Sequence, residues 1–249
     1  MFGNRPHFPT SLARLVAVVA LLLAGFAGAS VPGGSAALGR LDSMVVDGRT
    51  IEVYVPARRA PKAPLVLALH WSTARGKNML DLWKATADRE GAILVLPSSK
   101  NRREWTKGDG AAIDRALVKV LSTHRIDRDR IYVTGFSGGA NMAWRFFLSH
   151  PGFFAGIGPF AGRLVDKPGE LDRIGTGLPR SAGPQRACLV HGTSDRKIPF
   201  SESRRAVREL GRRGIDAELR ALPQGHWPHP DYATPMWNCL DGHRETPET

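Results

Sequence analysis

The stretch RIYVTGFSGGANMA, residues 130–143, decides how the chain is read. Ile131, Tyr132 and Val133 form an apolar run suited to a buried strand. Residues 139–150, GANMAWRFFLSH, suit a helix that Pro151 stops. Between them lies Gly135-Phe136-Ser137-Gly138-Gly139, a G-x-S-x-G pattern. Serine among glycines is common in flexible turns, and the pattern alone is weak in a chain with 27 glycines. Between a strand and a helix it is more specific. Small neighbours let strand and helix approach, and the serine sits at the apex of a tight turn. The Gly138 amide then points from the helix N-terminus toward a developing negative charge.

On either side of this stretch the chain alternates strands with helices. APLVLALH (63–70), AILVLP (92–97) and ACLVHG (187–192) are continuous apolar runs, as in strands covered on both faces. GRTIEVYVP (48–56), FAGIGPFAG (154–162) and DAELRALP (216–223) are further strand candidates. Helical spacing marks residues 77–91 through Met79, Leu80, Trp83 and Ala87, and residues 109–124 through Ile113, Leu117 and Leu121. Helices are also expected at 201–214 and near 233–240. The pattern predicts an α/β fold with a mostly parallel sheet and helices on both faces. Residues 162–185, rich in Gly and Pro, read as a surface excursion between strands, and the polar tail from 241 as frayed.

Serine is a poor nucleophile without a base, and the base needs an orienting acid. Downstream, Asp195 follows the strand at 187–192 and His226 follows the strand at 216–223. Both fall beyond strand ends, where parallel sheets build sites. The order Ser137, Asp195, His226 is the chain order of the α/β-hydrolase triad. His229 is an alternative base three residues on, and Asp231 an alternative acid that breaks the order. His70 and His191 read as hydrogen-bonded braces at strand ends. Trp105 suits either a cleft wall or the core. Asp109 and Asp114 suit the positive end of a helix. No metal-ligand spacing and no cofactor motif appears.

RIYVTGFSGGANMA, HGTSDRKIP (191–199) and GHWP (225–228) together resemble the polyhydroxybutyrate depolymerase-like esterases, which are related to feruloyl and acetylxylan esterases. The resemblance spans roughly residues 51–237. It implies an α/β-hydrolase fold and a cofactor-free serine esterase with Ser137 as nucleophile, Asp195 as acid and His226 as base. It also implies an oxyanion hole made by the Gly138 amide and an amide of the loop after His70, with Ser72 the first choice and Trp71 the second. Two departures bear on substrate shape. The family usually has His-Gly where this chain has His70-Trp71. It also tends to place Gly-Gly-Gly-His before a separated Trp, where this chain reads PQGHWP (223–228). Trp71, Trp105 and Trp227 are therefore the candidate substrate-binding residues. A peptidase or amidase of the same fold and a non-catalytic envelope-binding protein are the rival readings.

The ends and the charge bound the rest. Arg5, His7 and Arg14 precede an apolar run from Leu15 to Ala27, and Ala27 and Ala29 form an A-x-A pattern. This reads as a secretory signal at 1–29, leaving one catalytic domain at 30–249 that is secreted or periplasmic and monomeric, with no membrane span after cleavage. Removing the signal takes away Arg5 and Arg14 and no acid, so +10 of the net +12 remains. The charge is dispersed and no nucleic-acid motif accompanies it, so no nucleic-acid partner is expected. An ester, small or polymeric, is the expected partner. Cys188 and Cys239 suit either a disulfide or two buried thiols.

Overall fold

Each continuous apolar run is a strand feeding two cores. The computed structural model describes residues 38–164 and 185–242. The chain divides into Met1–Ala37 and Leu38–Thr249, and the second unit holds every element described below. The signal segment, residues 165–184 of the expected excursion and the tail from 243 lie outside the described residues.

The strands are β1 (Arg40–Val46), β2 (Arg49–Val55), β3 (Ala63–Leu69), β4 (Ile93–Pro97), β5 (Ile126–Phe136), β6 (Gly156–Phe160), β7 (Arg186–Gly192) and β8 (Asp216–Leu222). The helices are α1 (Gly76–Glu90), α2 (Lys107–Thr123), α3 (Gly138–Ser149), α4 (Ser201–Arg212) and α5 (Ala233–Leu240), with a 3-10 turn at Pro230–Tyr232. The sheet runs β1-β2-β4-β3-β5-β6-β7-β8. The β1–β2 and β2–β4 pairs are antiparallel, and every other pair is parallel.

Strand β3 shows why the runs lack alternation. Leu65, Leu67 and Leu69 enter one core with Ile113, Leu117, Phe146 and Leu210, under α2, α3 and α4. Val66 and Ala68 enter the other with Met79, Trp83, Met236 and Trp237, under α1 and α5. Successive side chains point to opposite faces, and both faces are covered.

Strand β1 was not expected from the sequence. Its residues are half exposed, and Leu41 and Val45 face solvent. It joins β2 through Asp47 (φ 48°) and Gly48 (φ 72°), with Val46 paired to Arg49. Two central residues with positive φ match the twist of a two-residue hairpin, for which Asp-Gly is a favoured sequence. Strand β5 is also longer than its apolar core, beginning at Ile126 through the charged residues DRDR (127–130).

Asp109 does begin a helix, but as a buried hub. Its Oδ2 accepts from the Thr106 amide (2.8 Å) and hydroxyl (2.7 Å), closing the cap of α2. Its Oδ1 accepts from Arg49 Nε (2.8 Å) and the Lys100 amide (3.0 Å). Burial pushes the carboxyl up, but Arg49, Lys100 and Thr106 outweigh it and leave it below its ordinary 3.8. The stabilisation is therefore present above that value and fades as pH falls through the folded value. Asp109→Ala should cost about 3–5 kcal/mol at neutral pH, because it strands the Arg49 cation and removes the carboxylate half of the capping box. Urea unfolding checks this, and a loss below about 1 kcal/mol, the level of a surface pair, would contradict it. Asp114 lies past the first turn of α2 and pairs with His150 Nε2 at 3.1 Å instead.

The two cysteines, 51 positions apart in sequence, form a disulfide with Cα atoms 6.0 Å apart. It ties α5 to β7. Joint replacement, Cys188→Ser with Cys239→Ser, should cost about 4 kcal/mol on the chain-entropy model. An unchanged unfolding midpoint under reducing and oxidising conditions would contradict that figure.

Candidate active site

Ser137 stands between the end of β5 and the start of α3, at φ 55° and ψ −117°. A serine at positive φ carries strain of about 1–3 kcal/mol, so its surroundings must hold it there. The Ser137 amide donates to the Phe160 carbonyl (3.0 Å), and the Ser137 carbonyl accepts from the Asn141 amide (3.0 Å). Two glycines permit the bend. A Cβ on Gly135 would lie 2.4 Å from the Gly139 backbone, and one on Gly139 would lie 2.0 Å from the Leu69 carbonyl oxygen.

Two loops deliver the other groups. The turn after β7 carries Asp195 and the loop after β8 carries His226. The loops are docked by backbone bonds from Thr193 to Leu222 (2.8 Å) and from Ser194 to Gln224 (2.9 Å). Gly192 allows this, since a Cβ there would lie 2.4 Å from the Gln224 carbonyl oxygen. His226 Nε2 is 2.8 Å from Ser137 Oγ, and His226 Nδ1 is 2.6 Å from Asp195 Oδ2. The imidazole packs against the Phe136 ring, centroids 4.8 Å apart.

Asp195 is held by its other oxygen, where Oδ1 accepts from the amides of Lys197 (2.8 Å) and Ile198 (2.9 Å). Burial pushes its carboxyl up, but the Ile198 amide, His226 and the Lys197 amide outweigh it and hold it below the ordinary range. It is thus poised as a carboxylate facing the imidazole.

The alternatives fall elsewhere. His229 caps the 3-10 turn and sits 3.1 Å from Asp231, so these two partner each other. His70 is buried: its Nδ1 meets the Trp71 carbonyl (2.7 Å), and its Nε2 accepts from the Ser99 amide (3.0 Å). That places the proton on Nδ1. Burial pushes the His70 pKa down, so the ring stays neutral. His191 is also buried, but it reaches Asp195, a contact that sequence reasoning missed: its Nε2 lies 3.3 Å from Oδ2.

Around Ser137, the loop after β3 passes close to the first turn of α3. A Cβ on Gly138 would lie 3.6 Å from the Ser72 amide nitrogen and 3.0 Å from its hydroxyl oxygen. The Trp71 carbonyl is held by His70 Nδ1 and the Ala74 amide (3.1 Å). In a trans peptide the N–H points opposite the C=O, so this fixes the direction of the Ser72 N–H. The Gly138 amide, in the first turn, has no acceptor within its own helix. Trp71 packs edge-on to Phe136 at 5.8 Å. Trp227, beside His226, is 59% exposed. Trp105 is committed to the framework, with its indole N–H donating to the His70 carbonyl (2.9 Å) and its ring 4.5 Å from the His70 ring. A small cavity of about 20 Å³ lies against Phe136 and Phe160, with Trp83, His229 and Tyr232 among its walls. Among the described residues no group of three His, Cys, Asp or Glu is arranged to hold a metal, and no helix is long and apolar enough to cross a membrane.

The sequence and the fold resemble those of known proteins. Residues 95–232 match the model of the phospholipase/carboxylesterase family. NocK of Nocardia uniformis subsp. tsuyamanensis, which carries an esterase name, is 30% identical over 175 residues, 63% of this chain and 48% of that protein. Poly(3-hydroxyalkanoate) depolymerase C of Paucimonas lemoignei is 32% identical over 124 residues, 44% of this chain and 30% of that one. The matched region thus spans half or less of the length of these curated relatives. Among solved structures, the acetyl xylan esterase from Aspergillus awamori superposes with a TM-score of 0.62 at 17% identity, covering 80% of this chain and 99% of that one. The chain belongs to the phospholipase/carboxylesterase family and has the α/β-hydrolase fold.

Proposed function

We propose that this protein is a serine esterase that hydrolyses carboxylic esters through an acyl-enzyme, with Ser137 as nucleophile, His226 as base and Asp195 as its orienting acid. The observation that carries the reading is the continuous chain from Ser137 Oγ through both His226 nitrogens to Asp195 Oδ2. Ser137 Oγ attacks the ester carbonyl while His226 Nε2 takes its proton. Asp195 stabilises the imidazolium without itself becoming protonated. The amides of Gly138 and Ser72 receive the oxyanion, each worth about 3–4 kcal/mol in sites of this kind. His226 then returns the proton to the departing alcohol. Water repeats the sequence on the acyl-enzyme and releases the acid.

The surrounding aromatic residues and the names of the relatives support a substrate class. Trp71 packs on Phe136, which in turn packs on His226, and Trp227 follows His226 in the chain with its ring largely exposed. The acetylxylan esterase name among the relatives favours short acyl groups such as acetyl, and aromatic or oligomeric alcohols suit the tryptophans. Esters of hydroxyalkanoate oligomers and of decorated polysaccharides fall in this range, in keeping with the names of the relatives. The apolar run at 15–27 and the disulfide support export of the catalytic domain.

The test is a panel of p-nitrophenyl esters of increasing acyl length beside matched anilides. We expect turnover to fall from acetate to octanoate, with anilides far slower. Preferred cleavage of the anilides would favour a peptidase or amidase, and failure of the folded protein to cleave any ester would overturn the reading.

A further inference from the structure

The turn that carries Asp195 holds a second histidine contact that the proposed chemistry does not use. His191, on β7, is buried, and its ring meets three groups. Nδ1 is 2.7 Å from the Ser203 hydroxyl on α4. Nε2 is 3.0 Å from the Ile198 carbonyl and 3.3 Å from Asp195 Oδ2. Both neighbours of Nε2 are acceptors, so the proton belongs on Nε2, and Nδ1 accepts from the Ser203 hydroxyl. Burial pushes the His191 pKa down against the pull of Ile198 and Asp195, which agrees with a neutral ring.

Asp195 Oδ2 therefore accepts the His226 N–H at 2.6 Å and lies 3.3 Å from His191 Nε2, whose N–H donates to the Ile198 carbonyl and turns its positive end toward the same region. Its Oδ1 is fixed by two backbone amides of its own loop. Among the described residues these two histidines are the titratable groups within salt-bridge reach of the carboxylate. From α4 the facing group is the neutral Ser203 hydroxyl, through His191.

We propose that His191 is a positioning residue for the esterase reaction: its Nε2–H, bonded to the Ile198 carbonyl, stands against Asp195 Oδ2, steadying the carboxylate and moderating its pull on the base. The inference rests on the Ser137–His226–Asp195 reading. Two amides on Oδ1 alone leave the carboxylate free to pivot about that oxygen. The His191 N–H dipole beside the second oxygen opposes that pivot and offsets part of its charge. Without it, Oδ2 bonds more strongly to the imidazolium of His226, and the base holds its proton to higher pH.

Two variants separate this role from simple space filling. In His191→Gln the side-chain amide reaches the Nε2 position and keeps the donor. His191→Asn keeps an acceptor near Ser203 but withdraws the donor from Asp195. For His191→Asn we expect the acidic limb of the kcat/KM profile to move to higher pH. The loss on that limb should be about three- to tenfold, with the high-pH plateau within about threefold of wild type. His191→Gln should keep the wild-type limb. If both variants lose activity equally at every pH, or His191→Asn leaves the limb in place, His191 only fills space and the proposal falls.

Should His191→Asn fail to fold, ¹⁵N NMR of the wild-type imidazoles decides the point. We expect the Nε2–H tautomer at His191, and the Nδ1–H tautomer there would overturn the proposal. Ser137→Ala serves as the control. If it retains wild-type turnover, the esterase reading fails. If it is inactive while His191→Asn behaves as wild type, only the present inference fails.

Discussion

Ser137→Ala should lower kcat on p-nitrophenyl acetate by about 10⁵–10⁶-fold, the scale seen when a triad nucleophile is removed from a serine hydrolase. The residual rate would come from the oxyanion amides and substrate binding alone. The substitution removes one oxygen from a half-buried position, so folding should survive it. The backbone bonds that hold the bend, from Ser137 to Phe160 and from Asn141 to Ser137, do not involve the side chain. Unchanged unfolding beside a collapse of kcat is the expected pair of results. Retention of more than about one per cent of kcat would mean that another group attacks the ester.

Asp195→Asn should cost about 10⁴-fold in kcat, and the geometry says why. The amides of Lys197 and Ile198 point at one oxygen, so an asparagine must place its carbonyl there. Its NH₂ group then faces His226 Nδ1 and His191 Nε2. Facing a donor, His226 moves its proton to Nε2 and presents an N–H, not a lone pair, to Ser137. The base is in the wrong tautomer for attack. A second N–H meets His191, so some loss of stability accompanies the loss of rate. Steady-state kinetics with a thermal melt checks both. A loss below about tenfold would show that Asp195 does not set the His226 tautomer.

These two expectations draw on different depths of legibility. The bend at Ser137 was readable because the chemistry demands local features: an apolar run, small residues and a helix start all within fourteen positions. The buried strands were readable for the same reason, since a strand covered on both faces needs an unbroken apolar run. Strand β1 was not, because half its side chains face solvent and its best signal was the Asp47-Gly48 turn. Asp195 and His226 could be placed at strand ends, but their meeting depends on loop docking across Gly192, which no spacing encodes.

What the sequence left open or unseen is tertiary. His191 and Asp195 stand four residues apart around a turn, and the sequence offers no sign that one touches the other. Cys188 and Cys239 meet because α5 packs over β7, a placement that 51 positions of separation leave open. Trp105 suited either a cleft or the core, and its hydrogen bond to the His70 carbonyl ties it to the end of β3. Asp114 looked like a helix-start acid, but the start of α2 lies far enough upstream that it partners His150 instead.

The central claim is that Ser137 is an activated nucleophile, and covalent labelling tests it most directly. Treating the folded protein with a fluorophosphonate and mapping the adduct by peptide mass spectrometry should place one phosphonyl group on Ser137. Ser137→Ala should remain unlabelled. A folded wild-type protein that stays unmodified, or an adduct on a different residue such as Ser72 or Ser194, would contradict the account.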